Sequence, residues 1–168
     1  REVKDLLAYL RLSVNHADDV SFLRVVNTPT RGIGKTSVEA FIEEARRDGV
    51  TLMEIARRRM AGLSPGQSSK VRSSSGLRAF VDLIDRAAAL VDRVEPSELL
   101  EELIGNLQYE EYLMAMGDLE GETRRENVRE LVNALKQFTL FDGGGLREFL
   151  ARHALESDQD QYEESADR

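Results

Sequence analysis

The chain has 168 residues, a formal net charge of −8 and no cysteine. That length fits one domain or slightly more, and 41% apolar residues supply material for a core. The missing cysteines exclude a disulfide framework and a thiolate metal site, and no apolar run approaches the ~18 residues of a membrane span.

The opening residues, REVKDLLAYL, mix charges with apolar residues and read as a helix, not a signal peptide. Val3, Leu6, Leu7 and Leu10 fall at i, i+3, i+4 and i+7, which predicts a helix over 2–12. With no initiator Met, and a helix at its very start, the chain reads as a piece of a longer cytoplasmic protein. Residues 19–26 are a shorter helical candidate; VSFLRVV admits a strand, but its flanks favour a helix. Val38, Phe41, Ile42 and Ala45 predict a helix over 38–45, and 51–60 predicts another. Leu77, Phe80, Val81, Ile84, Ala88 and Val91 mark 77–91. Candidates at 97–105 and 108–116 follow. Val128, Leu131, Val132, Leu135 and Phe138 then give the clearest stripe, over 125–140, before a last helix at 145–155. Strict alternation is nowhere convincing, so the expected fold class is all-α, an irregular multi-helix domain.

Four helix starts carry Ser or Thr followed three residues later by Glu or Gln, a reciprocal capping box. They are Thr36 with Glu39, Thr51 with Glu54, Ser64 with Gln67 and Thr123 with Glu126. Pro65 fits the first helical position, where no N–H is needed. Linkers are few. Residues 62–76 are Ser/Gly-rich, the three glycines at 143–145 read as a flexible joint, and the acidic tail 156–168 is expected to be disordered or extended.

Residues 28–37, TPTRGIGKTS, hold the one motif with chemical content. Gly34-Lys35-Thr36 matches the second half of the nucleotide loop G-x-x-x-x-G-K-[ST]. The first glycine of that loop is replaced by Pro29, which has no N–H to donate and a fixed φ. The turn is better read as a helix-hairpin-helix type of DNA contact. Its glycines permit positive φ and close approach, and Ile33 can plug into the core. The N–H groups near Gly34 then face outward at a helix start that favours anions. Arg31 and Lys35 add charge, and Thr36 and Ser37 offer hydroxyls to phosphate oxygens. Such a contact grips phosphates without reading bases. A second turn at 62–70 has similar parts: Ser64, Gly66, Ser68, Ser69 and Lys70.

Charge is unevenly spread. Residues 24–78 carry eleven Lys/Arg against five Asp/Glu, whereas 79–168 carry nine against 22. A local basic stretch can attract phosphates on an acidic protein, because screening limits reach to about 8–10 Å. His16 and His153 lie apart and read as surface or boundary residues. No nucleophile–base constellation and no metal spacing emerges from the sequence.

Three blocks in order, REVKDLLAYLRL, DDVSFLRVVNTPTRGIGKTSVE and ETRRENVRELVNAL, resemble the UvrD/PcrA/Rep family of superfamily 1 DNA helicases. The resemblance covers essentially the whole chain. The first block is similar to the stretch after helicase motif IV, and TP-x-RGIG to the family's Gly-Ile-Gly element in subdomain 2B. E-x-R-x-E-N-x-x-E-L, here Glu122 to Leu131, is similar to another family hallmark. The resemblance implies an end piece of the second RecA-like domain (2A) at 1–15, the helical 2B subdomain at 16–155 and an acidic linker at 156–168. The ATPase motifs would lie outside this chain, so the piece itself is expected to be non-catalytic and to hold no cofactor, with ATP and Mg in the parent helicase. Arg31, Gly32, Ile33, Gly34, Lys35, Thr36 and Ser37 would grip duplex DNA, with Ser64, Gly66, Ser68, Ser69 and Lys70 as a second contact. Ser37 stands where the family commonly has Thr, which retains a hydroxyl. Implied partners are duplex DNA at a single-strand junction, the other helicase domains and repair or replication proteins, in a nucleoid-associated cytoplasmic setting with no membrane. The alternative is a helical protein-interaction module whose Gly-Ile-Gly is only a turn. It predicts no salt-sensitive DNA binding and an interface on the acidic half.

Overall fold

Helix α1 (Glu2–Val14) is the organising element of the computed structural model, which describes residues 1–62 and 75–154. The predicted stripe of Leu6, Leu7 and Leu10 is buried, and so are Ala8, Tyr9 and Leu12 between them. A helix covered on nearly all sides belongs in the interior. It packs against α2 (Asp19–Val25), α5 (Ser75–Leu90) and α8 (Asp118–Asp142). Residues 2–14 are therefore part of the packed body. Tyr9, Phe22 and Phe80 join these helices: the Phe22 and Phe80 rings meet edge to face at 5.5 Å, and Tyr9 and Phe80 at 6.4 Å.

Helices α3 (Lys35–Asp48) and α4 (Leu52–Met60) form a hairpin. Gly49, at φ +66, ends α3 in the left-handed conformation. Thr51 starts α4 as predicted, its hydroxyl oxygen accepting from the Glu54 N–H at 3.2 Å. Asp19 on α2 also accepts from the Leu52 N–H at 3.0 Å, closing the same helix start from outside. Arg59 crosses back to Glu44 at 2.8 Å, with both side chains under 10% exposed, and stacks 4.6 Å from the Phe41 ring.

The acidic half is built from α6 (Pro96–Asn106), α7 (Tyr109–Met114) and α8, and a helical stretch at 146–154 packs Phe149 against Phe138 of α8. Pro96 occupies the first turn of α6. All nine predicted helices are present, and no strand occurs among the described residues. The all-α expectation holds.

Three local expectations need correction. Helix α3 begins at Lys35 with Gly34 at its N-cap, and no side chain caps it, so Thr36 is already inside the first turn. Helix α8 starts after Gly117, seven residues before the predicted 125. Thr123 is thus interior, its hydroxyl donating back to the Leu119 carbonyl at 3.0 Å. The glycines at 143–145 form an ordered turn: Gly143, at φ +66, ends α8, and the Gly145 N–H donates to the Glu148 carboxylate at 3.0 Å. The Ser64 capping box with Pro65, most of the Ser/Gly-rich linker, and the acidic tail lie outside the described residues.

Removing one partner of a buried ion pair strands the other in a poor solvent. Glu44→Ala is therefore expected to lower stability by about 3–5 kcal/mol, read from urea unfolding. A loss below about 1 kcal/mol would put this pair in the class of exposed ones.

Candidate nucleic-acid interface

The loop from α2 to α3 is folded around Asn27. Its side-chain oxygen accepts from the backbone N–H groups of Arg31 at 2.7 Å and Ile33 at 3.2 Å. Ile33 is 5% exposed and joins the core, so the expected plug is present. Gly32 has φ +74, where a side chain would be strained. Gly34 departs from the expectation: its φ of −76 and ψ of 170 are extended and open to any residue. A Cβ on Gly34 would meet nothing within 4 Å. The fold therefore does not require glycine at 34; the bare position keeps clear the space before the first turn of α3.

That first turn presents the N–H groups of Lys35, Thr36 and Ser37, the donors a helix start leaves without intrahelical acceptors. The Val38 N–H is the first to close the helix, onto the Gly34 carbonyl at 3.1 Å. No acidic residue stands in the first turn of α3. Gly34, Lys35 and Thr36 are exposed and Ser37 is half-buried. The Lys35 side chain is 90% exposed, with its ammonium 3.8 Å from the Glu39 carboxylate. An exposed pair at that distance restrains it weakly.

Arg31, expected to face a phosphate, turns its guanidinium inward. Its Nη1 donates to the carbonyls of Val25 at 2.9 Å, Val26 at 3.2 Å and Pro29 at 3.3 Å, and its Nη2 bonds the Tyr9 hydroxyl. The guanidinium lies 5.1 Å from the Phe80 ring centroid and 5.7 Å from that of Tyr9. Arginine suits this place because its planar fork meets several acceptors while its face stacks on aromatic rings. Val25 and Val26 end α2, so the cation also satisfies that helix's last carbonyls.

Behind the loop, Tyr9 is fully buried, and its hydroxyl faces the carbonyls of Val25 and Thr28. One hydroxyl hydrogen serves one of them at a time. Burial pushes the Tyr9 phenol up to about 12, against the opposing pull of the Arg31 charge. Gly76, in the first turn of α5, admits the loop: a Cβ there would stand 2.2 Å from the Arg31 carbonyl oxygen.

Of the residues grouped from the sequence, 31–34 belong to the loop and Lys35, Thr36 and Ser37 to the first turn of α3; Tyr9, Asn27 and Gly76, which hold the loop from behind, were missed. Asn27 had a signal, since asparagine two residues before a proline is a common turn residue. Tyr9 lies off the apolar stripe of α1, and Gly76 reads as linker. Ser64, Gly66, Ser68, Ser69 and Lys70 lie outside the described residues. The amides of Arg31 and Ile33 turn inward to Asn27, and Pro29 has none, so these positions do not form a ring of donors around a nucleotide phosphate. His16 meets Arg57 at 3.2 Å, and His153 lies on the Phe149 ring, both as boundary residues.

These features define an all-helical domain with a positively charged helix start held open to solvent. The family model for the UvrD-like helicase C-terminal domain matches residues 1–168, and the chain belongs to this family. ATP-dependent DNA helicase PcrA of Bacillus subtilis is 34% identical over 166 residues, which cover 98% of this chain and 22% of PcrA. DNA helicase II of Salmonella typhimurium is 35% identical, and that of Escherichia coli 34%, each over 96% of this chain and 22% of the helicase. The chain thus spans about a fifth of the length of these relatives.

Helix propensity alone favours Gly76→Ala by about 1 kcal/mol. The contact with the Arg31 carbonyl opposes it, and crowding of this kind costs roughly 1–3 kcal/mol. A net loss of stability is expected in urea unfolding; a gain would show that the loop can step back freely. A raised phenol pKa also makes stability depend on pH. Tyr9 contributes fully below the unfolded-state value near 10 and loses that contribution as pH rises towards about 12. Stability measured by urea unfolding between pH 9 and 12 is expected to fall more steeply for the native chain than for Tyr9→Phe; parallel curves would contradict it.

Proposed function

We propose that this chain is the 2B-type accessory subdomain of an ATP-dependent 3′–5′ DNA helicase and that it grips the backbone of duplex DNA without reading bases. The contact is the start of α3: Gly32 and Gly34 for close approach, Lys35 for charge, and the N–H and hydroxyl groups of Thr36 and Ser37 for phosphate oxygens. Ser64, Gly66, Ser68, Ser69 and Lys70 form the second contact of this reading. Arg31 and Ile33 hold the loop and do not touch DNA. The observation that carries the proposal is Gly34, whose missing side chain is not needed by the fold and clears the approach to an uncapped, positively charged helix start.

The names of the relatives support the same reading, since each is a DNA helicase. ATP and Mg would be bound by the other helicase domains, and none of this chain's residues is assigned to hydrolysis. The other helicase domains and repair or replication proteins are the proposed protein partners, in the bacterial cytoplasm. Residues 1–15 and 156–168 would lead to and from 2A, although α1 itself is packed into the helical body. A second reading, a protein-interaction module, is favoured by Leu140 and Phe141, neighbours near the end of α8 that are each 75% exposed.

Fluorescence anisotropy on a labelled duplex at several salt concentrations tests the main reading. Each phosphate neutralised contributes a slope of about −0.9 in log K against log salt. A slope of a few units is expected, with binding weakened by Gly34→Val while the circular dichroism is unchanged. Equal binding by native chain and variant would remove the loop from the contact.

A further inference from the structure

We propose that Arg31 is the positioning residue of the Gly-Ile-Gly loop: its guanidinium fixes the helix start from behind and makes no contact with phosphate. This rests on the reading of α3 as the DNA contact and refines which side chains do what.

The loop has two faces with separate tasks. On the outer face stand Gly34, Lys35 and Thr36, all exposed. On the inner face, Asn27 takes the Arg31 and Ile33 N–H groups, and the Arg31 side chain bonds the carbonyls of Val25, Val26 and Pro29 together with the Tyr9 hydroxyl. The Arg31 backbone is held as closely as its side chain, because its carbonyl passes the bare Cα of Gly76. To reach a phosphate, the guanidinium would have to leave these acceptors and the Phe80 ring, and the Val26 and Pro29 carbonyls would lose the donor it gives them, although the Val25 carbonyl would keep the Thr28 N–H. A cation so held cannot act as a mobile phosphate hook. What it does is join the end of α2, the core helix α1 and the loop that leads into α3.

The two roles differ in what a mutation does to salt dependence. Loss of a phosphate contact removes one term from the slope. Loss of a positioning residue lowers the fraction of molecules with a competent loop, which scales apparent affinity and leaves the slope alone. They also differ in what lysine can replace. An ammonium holds a phosphate as a point charge, but it cannot reproduce a planar fork on several carbonyls and a stacked ring.

The experiment compares the native chain with Arg31→Lys, Arg31→Gln, Tyr9→Phe and Lys35→Ala in the same anisotropy salt series, with amide hydrogen exchange of residues 27–37 measured alongside. Lys35→Ala is expected to flatten the slope by about 0.9. Arg31→Lys and Arg31→Gln are expected to weaken binding to a similar extent, about tenfold for a tenfold drop in competent loop, with the native slope and faster exchange across the loop. Tyr9→Phe, a buried change, is expected to move binding in the same direction. Restoration of native affinity by Arg31→Lys, or a flattened slope in Arg31→Gln with loop exchange unchanged, would make Arg31 a direct contact and overturn the proposal. If the native chain shows no salt-sensitive binding, the DNA reading fails instead. The exchange data then still decide the positioning role: unchanged exchange in both Arg31 variants would overturn it.

Discussion

The Tyr9 hydroxyl meets the Arg31 guanidinium where three parts of the chain converge. Tyr9 comes from the central helix, Phe80 beneath the guanidinium from α5, and the carbonyls around it from the end of α2 and the loop. Each partner answers a need of another. The carbonyls at the end of α2 lack intrahelical donors, a buried phenol needs a polar neighbour, and a half-buried cation needs acceptors. Satisfying all three at once sets the path from α2 to α3. Every residue from 31 to 37 takes its orientation from that path, so the outward face of α3 depends on an inward contact.

The same logic explains charges placed in the core. Glu2 and Asp5 are almost fully buried on α1, and neither is alone. Asp5 accepts from Arg24 at 2.8 Å, and Glu2 accepts from Arg124 at 2.8 Å and Asn127 at 2.7 Å. Arg124 and Asn127 are two of the residues in the Glu122–Leu131 hallmark. Their observed work is to tie α8 to the start of α1, across more than 120 positions of sequence. Breaking one partner would leave a buried carboxylate uncompensated. That gives the motif a packing role independent of any ligand.

What was legible in the sequence followed from periodicity. Apolar stripes placed the helices at 2–12, 38–45, 77–91 and 125–140, because each amphipathic face reports local geometry; the other five were shorter candidates. Thr51 was legible for the same reason: a cap and its partner lie three residues apart. Features that depend on distant neighbours were not legible. The first turns of α8 carry few apolar residues, so no stripe announced them. Arg31 read as a surface cation because nothing adjacent in sequence reveals that Tyr9 and Phe80 wait behind it. Gly76 sat in a Ser/Gly-rich run and read as linker, when its bare Cα is a contact surface for Arg31. That these residues form a turn before a helix was readable; which way each side chain faces was not.

Charge counting by segment shows a related limit. Residues 24–78 look strongly basic, yet several of those arginines are engaged within the fold. Arg24 pairs with Asp5, Arg57 with Asp85, Arg58 with Asp48 and Glu54, and Arg59 with Glu44, while Arg31 faces carbonyls. Lys35 stands out by contrast, with a 90% exposed side chain and one distant acid. A phosphate near α3 would therefore meet a small set of oriented donors more than a broad positive field. The acidic helices α6 to α8 carry internal pairs of their own, such as Arg124 with Glu120 and Arg129 with Glu126. Screening attenuates whatever field remains beyond about 8–10 Å. A net charge of −8 is thus compatible with an anion grip, provided the grip comes from fixed N–H groups and one exposed ammonium. Under that condition the rigidity of the loop, more than the number of its cations, would set the affinity of the proposed contact.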